Sequence, residues 1–464
     1  MTPPQWWVRP RSVRRGRVAV TRSPTKETAR ARVHKTPFRC RRGDGDPGVH
    51  RRRGRAPGGR LGTRRAPEVL PRAETAALFD DDAGGNANAD DPAIWRNSAD
   101  PDASLVVATA KEGGLRVYDL DARQVQSVPA PEAPGADDAP GRFNNVDLVH
   151  GMSLGTGATD LAVVSDRGSD KLRVYRVDGD RPHAPLTDVT DPSAPWIFSG
   201  SQDEVNEEST AYGLATYTDS VTGRSYALVS QNATTHIALL ELTATREGTV
   251  NYRKVRTLDL PATFTMPDGT KWSPCGEPGE GPQVEGMAVD PETGTLFAGQ
   301  EDVGIWRLRA DLRGRPVLQD KVREYGVPAT YDEASDECVA GADPGFGGAR
   351  VSADVEGLTL LEQEDGDGYL LTSSQGDDTF VAYDRERSDD YEYEGRFRVG
   401  AASEALDGSE ECDGADVLAE PLGSRYPNGL LVVQDGHMAP EDGDREATGF
   451  KFVDLADVLE ALDD

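Results

Sequence analysis

Short apolar strands alternate with polar turns along this chain in an order that repeats, and residues 284–308 (VEGMAVDPETGTLFAGQEDVGIWRL) give the clearest copy. Glu285 opens a strand over 286–289, and a Pro/Gly turn leads to a second strand over 295–298. That strand runs into the polar elbow Gly299-Gln300-Glu301-Asp302, and 305–308 leaves as a third strand. The same order recurs in LVVATAKEGGLRVYDL (105–120), LAVVSDRGSDKLRVYRV (161–177), YALVSQNATTHIALLEL (226–242), YLLTSSQGDDTFVAYDR (369–385) and LLVVQDGH (430–437). About six copies at roughly 55 to 75 residues predict an all-β fold, a six-bladed propeller of four-stranded antiparallel blades with decorated loops.

Each copy is preceded by a short strand that opens with acids or amides: Asp90-Asp91, Asn144-Asn145 with Asp147, Glu285, Asp354 with Glu356, and Asp413 with Asp416. The third copy is the exception, with Ser209-Thr210-Ala211-Tyr212 in that place. In an antiparallel meander the start of the first strand and the end of the second share an edge. The opening acids and the elbow residues Lys111, Arg167, Glu301 and Asp435 are therefore expected on one rim, crowded with carboxylates and carrying a few cations. Alternation puts Asp354 and Glu356 on one side of their strand.

Charge divides the chain. The formal net charge is −30, yet the first 72 residues are strongly basic and the remainder strongly acidic. The basic part is rich in Arg, Pro and Gly and has almost no apolar periodicity, so residues 1–74 are expected to be disordered and 75–464 to form the propeller. This leader has no helix pattern or interleaved aromatics for nucleic acid, and it lacks the apolar run of an export signal. Arg42-Gly43-Asp44 reads as chance. No stretch is apolar and long enough to span a bilayer as a helix. No nucleic-acid or membrane partner is expected.

Of the four cysteines, Cys40 lies in the leader, and Cys275, Cys338 and Cys412 lie in irregular loops without zinc spacing. Cys275 and Cys338 both sit in insertions flanking one blade, which favours their pairing, although sequence does not fix connectivity and a free thiol in the body is the alternative. Glu364-Asp365-Gly366-Asp367-Gly368 lacks the last glutamate of a calcium loop and reads as a hairpin turn. Asn232-Ala233-Thr234 formally matches a glycosylation acceptor.

Carboxylates packed this closely raise one another's pKa unless a positive partner joins them. An oxygen-only set with few, dispersed histidines favours calcium over zinc or copper. Several calcium ions beside Lys111 and Arg167 suit a multiply anionic ligand, and phosphate is the obvious one. A bridging water would attack a phosphomonoester in line. The motifs of phosphohistidine and thiol phosphatases and the GxSxG elbow are missing.

In order from Asp90 onward, DDPAIW, GGLRVYDL, NNVDL, SDR, VEGMAVD with QEDVGIW, DVEGLTL with GYLLTSSQG, DGADVL and YPNGLLVVQDG closely resemble the beta-propeller phytases. The resemblance implies a six-bladed propeller with a calcium cluster on top and stepwise hydrolysis of myo-inositol hexakisphosphate (phytate) to lower inositol phosphates. It implies an enzyme of the 3-phytase type, secreted and monomeric, that takes phytate as its calcium complex. Position by position, Asp90, Glu285, Asp354, Glu356 and Asp413 match calcium ligands, and Asp91 and Asp407 match further metal positions. Glu301 and Tyr212 match groups lining the cleavage site, with Glu285 completing the catalytic set, while Lys111 and Arg167 match phosphate-holding cations.

Three positions depart from that family: Asn232 stands in place of a lysine, Thr210-Ala211 in place of an acidic pair, and Gln300 in place of a glutamate. Two other functions fit the same pattern. One is a non-catalytic, calcium-stabilised propeller binding an anionic partner, and the other is a six-bladed calcium lactonase.

Overall fold

Strands such as Leu105–Thr109 (LVVAT) are buried at every position, which a strand tolerates only when both of its faces are covered. Alternation splits the load. Leu105 and Val107 pack with Phe143 and Val146 of one neighbouring sheet, while Val106 and Ala108 pack with Val432 and Phe450 of another. The computed structural model describes residues 66–79, 88–155, 157–334, 337–363, 366–385, 391–439 and 447–463. All of them belong to the larger of two units, 44–464.

Six antiparallel sheets form the blades, with first strands Pro92–Trp95, Phe143–Leu154, Ala211–Thr218, Val284–Asp290, Val355–Glu362 and Ala415–Leu418. Each first strand touches the first strand of the next blade, and that of blade six touches that of blade one, so the ring closes around a central channel. Apolar clusters fill the gaps between blades one and two, two and three, three to five, five and six, and six and one. Blade four has strands Val284–Asp290, Thr295–Gln300, Gly304–Arg309 and Val317–Lys321, the first three in the order read from the sequence. Among the described residues no helix is long and apolar enough to cross a membrane.

One boundary needs correcting. Residues 66–74, assigned from composition to a disordered leader, are built into the ring. Glu68–Val69 pairs in parallel with Tyr393–Val399 at the outer edge of blade five. Ala73–Glu74 pairs with Ala447–Asp454 and gives blade six the fourth strand that its C-terminal part lacks, and Leu78–Phe79 pairs farther along the same strand. The physical reason is the unpaired edge that blade six would otherwise expose. Val69 and Leu78 are buried in two inter-blade cores, which composition averaged over the basic stretch conceals. Residues 1–65, with Cys40 and Arg42-Gly43-Asp44, lie outside the described residues, as do Glu364, Asp365 and most of the Gly/Asn linker.

Cys275 and Cys338 form a disulfide with a Cα separation of 6.1 Å, joining the insertions on either side of blade four, and Cys412 is free and buried.

The closing strand is also held by charge. Lys451 is fully buried, and its ammonium contacts Glu74 at 2.5 Å, Asp435 at 3.1 Å and Asp407. Burial pulls this amine's pKa down, but the three carboxylates outweigh that and hold it above its ordinary value. Replacing Lys451 by Met leaves buried carboxylates without a counter-charge. The variant is expected to lose roughly 3–5 kcal/mol of stability in denaturant unfolding, and a loss under 1 kcal/mol would show the cluster to be inessential.

Candidate functional site

Four blades open with a residue followed by glycine: Tyr212-Gly213, Glu285-Gly286, Glu356-Gly357 and Asp413-Gly414. A Cβ on Gly213 would lie 2.0 Å from the Glu285 carbonyl oxygen, and one on Gly286 would lie 1.9 Å from that of Glu356. On Gly357 it would meet the Asp413 carbonyl oxygen at 3.1 Å, and on Gly414 that of Asp90 at 2.6 Å. Only glycine permits backbones this close. At Asn144-Asn145, Tyr212-Gly213, Glu285-Gly286 and Glu356-Gly357 the pairing with the second strand also slips, which marks a bulge that re-aims the side chain. The openers of separate blades are thereby turned toward one place.

There, one carboxylate oxygen each from Glu285, Glu301 and Glu356 lies within 4.8 Å of the other two, and all three residues are buried. Asn144 donates its Nδ2 hydrogen to Glu285 Oε1 at 2.7 Å, and the Tyr212 hydroxyl donates to Glu285 Oε2 at 2.5 Å. Gln283 Nε2 donates to both oxygens of Glu301, at 2.7 and 3.0 Å, while Gln283 Oε1 accepts from the Ala233 N–H at 2.8 Å, which fixes the amide's orientation. Burial, then Glu285 and Glu301, pushes Glu356 well above the usual carboxylate range. Burial and the same carboxylates hold the Tyr212 hydroxyl well above its ordinary pKa, so it remains a donor.

Cations border this cluster. Lys111 Nζ lies 3.1 Å from Asp90 and 3.2 Å from Asp413, and Gln375 Nε2 donates to Asp413 at 2.8 Å. Lys111 holds a left-handed backbone at φ 46°, which a side-chain-bearing residue adopts only where its surroundings enforce it. The Arg167 guanidinium lies over the Tyr212 ring, 5.6 Å from its centroid. Arg142 sits beside it, unforeseen as a site residue. Its Nη1 donates to Glu112 at 2.6 Å, and it acts electrostatically on Asp90 and Tyr212. The signal that could have found it is its place just before Asn144, at the same edge as the other openers.

Some candidates are placed elsewhere. Asp91 Oδ2 accepts from the Val146 N–H at 3.0 Å, Asp147 from the Thr216 N–H at 2.6 Å, and Asp416 from the Ile94 N–H at 2.7 Å. These three stitch first strands of neighbouring blades and line the channel beneath the cluster, around a cavity of about 190 Å³. Burial, then Asp147, raises Asp416 to about 6. Asp407 and the elbow residue Asp435 turn to Lys451. Asp354 is half-buried and adds to the negative field on Glu356.

The unsatisfied atoms of the donor set suit a metal. Asp90 Oδ2 and Glu356 Oε2 are buried and have no hydrogen-bond partner, a costly state for an acceptor. Burial, partly opposed by Lys111, and then Glu285 and Asp413 raise Asp90 well above the usual range. Buried, hydrogen-starved, oxygen-only donors suit a hard divalent cation such as calcium. Among the described residues the trio is the one such group, and it contains no histidine or cysteine. With a cation bound, the rim could hold a phosphate between metal charge and the Lys111, Arg142 and Arg167 side chains.

The chain matches the model of the family described as Phytase over residues 60–267 and 279–464. It is 31% identical to a 3-phytase of Bacillus subtilis (strain 168) over 382 residues, which cover 82% of each chain. Among solved structures it is similar to regucalcin, a calcium-binding protein of Agrobacterium tumefaciens, with a TM-score of 0.41 and 10% identity over 83% of this chain and 96% of that one. A chain of a mitotic checkpoint complex matches with a TM-score of 0.36 and 10% identity, over 86% of this chain and 84% of that one.

A methyl group on Gly286 has no room beside the Glu356 carbonyl, so Gly286→Ala must push blades four and five apart at the cluster. The variant is expected to lose at least 1–3 kcal/mol in thermal unfolding and most of its metal affinity by calorimetry. Wild-type values for both would refute the close-approach account.

Proposed function

Because the chain belongs to the phytase family, we propose that it is a calcium-dependent enzyme of the 3-phytase type. It removes phosphate stepwise from phytate, taken as its calcium complex, to give lower inositol phosphates. The observation that carries this reading is the buried trio Glu285, Glu301 and Glu356 together with the two unsatisfied carboxylate oxygens of Glu356 and Asp90. Calcium needs in the range of extracellular modules would place the activity outside the cell.

Glu285, Glu356, Asp90 and Asp413 would hold calcium, with Asp354 adding negative charge beside Glu356. When bound, calcium offsets the charge of the phosphoryl oxygens and acidifies water. Lys111 and Arg167 orient the phosphate and balance the charge that builds on it in the transition state. Glu301, held at both oxygens by Gln283, accepts the proton of the attacking water at one carboxylate oxygen. As the phosphorus–inositol oxygen bond breaks, the leaving oxygen takes the electron pair and then a proton, which Glu301 can return. Tyr212, kept protonated, fixes Glu285 through Oε2 and supports Arg167 from below.

Phosphate release from phytate should require calcium and stop when a chelator is added. Glu301→Gln should lower kcat at least about 100-fold while the protein stays folded. Turnover that survives chelation would overturn the role of calcium. A protein that binds phytate without releasing phosphate would be a binding module, and one that opens lactones instead would be a lactonase. Chromatography of the first product tests whether the 3-phosphate leaves.

The carboxyls of Asp90 and Glu356 have folded pKa values raised above their unfolded values near 4, so in the metal-free protein each contributes most stability at low pH, and this is lost as pH rises. A cation requires their ionised forms. Calcium should therefore raise the melting temperature little at pH 4 and increasingly above it. An increment that does not change with pH would count against these ligands.

A further inference from the structure

Two arginines on blade two are placed in a way that their protein partners do not explain. Arg142 and Arg167 are joined through the main chain, the Arg167 N–H donating to the Arg142 carbonyl at 2.7 Å. Asp166 fixes the same elbow by accepting from the Arg142 N–H at 3.0 Å. Their guanidinium groups are close enough that Arg142, after burial, helps to pull Arg167 below its ordinary pKa. The Nε–H of each is buried and has no acceptor. The carboxylate nearest Arg167 is that of Glu208, at 3.7 Å and 63% exposed, a loose partner for a half-buried cation. Like charges held side by side with donors unspent require an anion with several acceptors, and a phosphate dianion matches the fork of a guanidinium.

Blade three supplies no cation at this edge. Asn232, at its elbow, donates to the Glu208 carbonyl at 3.3 Å, and its own carbonyl accepts from Ser209 Oγ at 3.0 Å. Blade two brings positive charge to this side of the rim through Arg142 as well as Arg167.

We propose that Arg142 is a further phosphate-binding residue, forming with Arg167 a paired guanidinium clamp on one phosphate group of the substrate. The clamp rests on the phytase reading for its substrate but not for its ligand chemistry. Glu112, through its 2.6 Å contact with Arg142 Nη1, occupies one end of the guanidinium and leaves Nε and Nη2 for the ligand. The rival account is that Arg142 exists only to pair with Glu112.

The test compares Arg142→Gln, Arg142→Lys and Glu112→Gln with the wild type, each loaded with calcium. Calorimetric titration with inorganic phosphate is combined with KM and kcat for phytate. Losing a charge-assisted bond should weaken phosphate binding and raise KM about 10- to 100-fold in R142Q, with kcat changed less than about fivefold. R142K, which keeps the charge without the fork, should fall between R142Q and wild type. E112Q removes the same ion pair but leaves the guanidinium free, so its phosphate affinity should equal or exceed that of the wild type.

Loss of phosphate affinity in E112Q as large as in R142Q would overturn the clamp in favour of a structural pair. Equal affinity of R142Q and wild type would also overturn it. Should R142Q fail to fold, R142K and E112Q decide between the same two accounts. A wild type that binds phosphate through Arg142 but releases none from phytate would refute the reaction and leave the clamp standing.

Discussion

At four places around the ring the main chain of one first strand lies against that of the next with only a glycine hydrogen between them. That approach brings the side chain before each glycine, Tyr212, Glu285, Glu356 and Asp413, next to its counterpart on the following blade. The bulges at three of these positions, and at Asn144-Asn145, turn the side chains to the same end. Inter-blade cores of valine, leucine and phenylalanine supply the cohesion, so the rim can accept buried like charges that cost stability locally. Close approach and charge crowding are one constraint: a wider ring would relieve the carboxylates and disperse the site.

The chain contains two kinds of carboxylate cluster, and their difference is informative. Around Lys451, Glu74, Asp407 and Asp435 surround an ammonium supplied by the protein, and the group ties the N-terminal strand into blade six. Around Glu285, Glu301 and Glu356 the neutral groups Asn144, Tyr212 and Gln283 donate hydrogen bonds, and an oxygen of Glu356 goes without. The first cluster is complete as folded. The second has no cation of the protein's own at its centre and leaves a buried carboxylate oxygen unsatisfied. Lys111 stands between these cases, bridging Asp90 and Asp413 while leaving Asp90 Oδ2 unpaired.

Much of this was legible in the sequence because the propeller writes one blade per repeat, so a strand order seen at 284–308 could be followed through the chain. The meeting of Glu285, Glu301 and Glu356 follows from strand direction alone. What was not legible depends on contacts between blades. Asp91 and Asp407 have the same residue type and local setting as the acids that open the other blades. Only the neighbouring strand reveals that Asp91 accepts the Val146 N–H and that Asp407 faces Lys451. Residues 66–79 carry few apolar positions, and their role exists only because blade six lacks an outer strand. Arg142 stands at a strand's opening, where the repeats place acids or amides, and not at an elbow like Lys111 and Arg167.

The positions that depart from the family pattern are now occupied by main-chain bonding. Gln300 donates to the Pro282 carbonyl at 2.8 Å and accepts from Trp306 Nε1 at 2.9 Å, a donor and acceptor pair that a glutamate could not supply. Thr210 Oγ1 donates to the Arg167 carbonyl at 2.7 Å, so the residue standing in an acidic pair steadies a cation's backbone instead of adding charge. Asn232 likewise serves the turn at Glu208. The exchanges remove charge from blades three and four. Glu301 and Glu285 remain there beside neutral donors, while Lys111 of blade one and Arg142 and Arg167 of blade two bring positive charge to the rim. The rim is therefore uneven in charge: the carboxylates of Glu285, Glu301 and Glu356 gather at one place, and the guanidinium groups of Arg142 and Arg167 lie together on blade two, with Lys111 bridging Asp90 and Asp413.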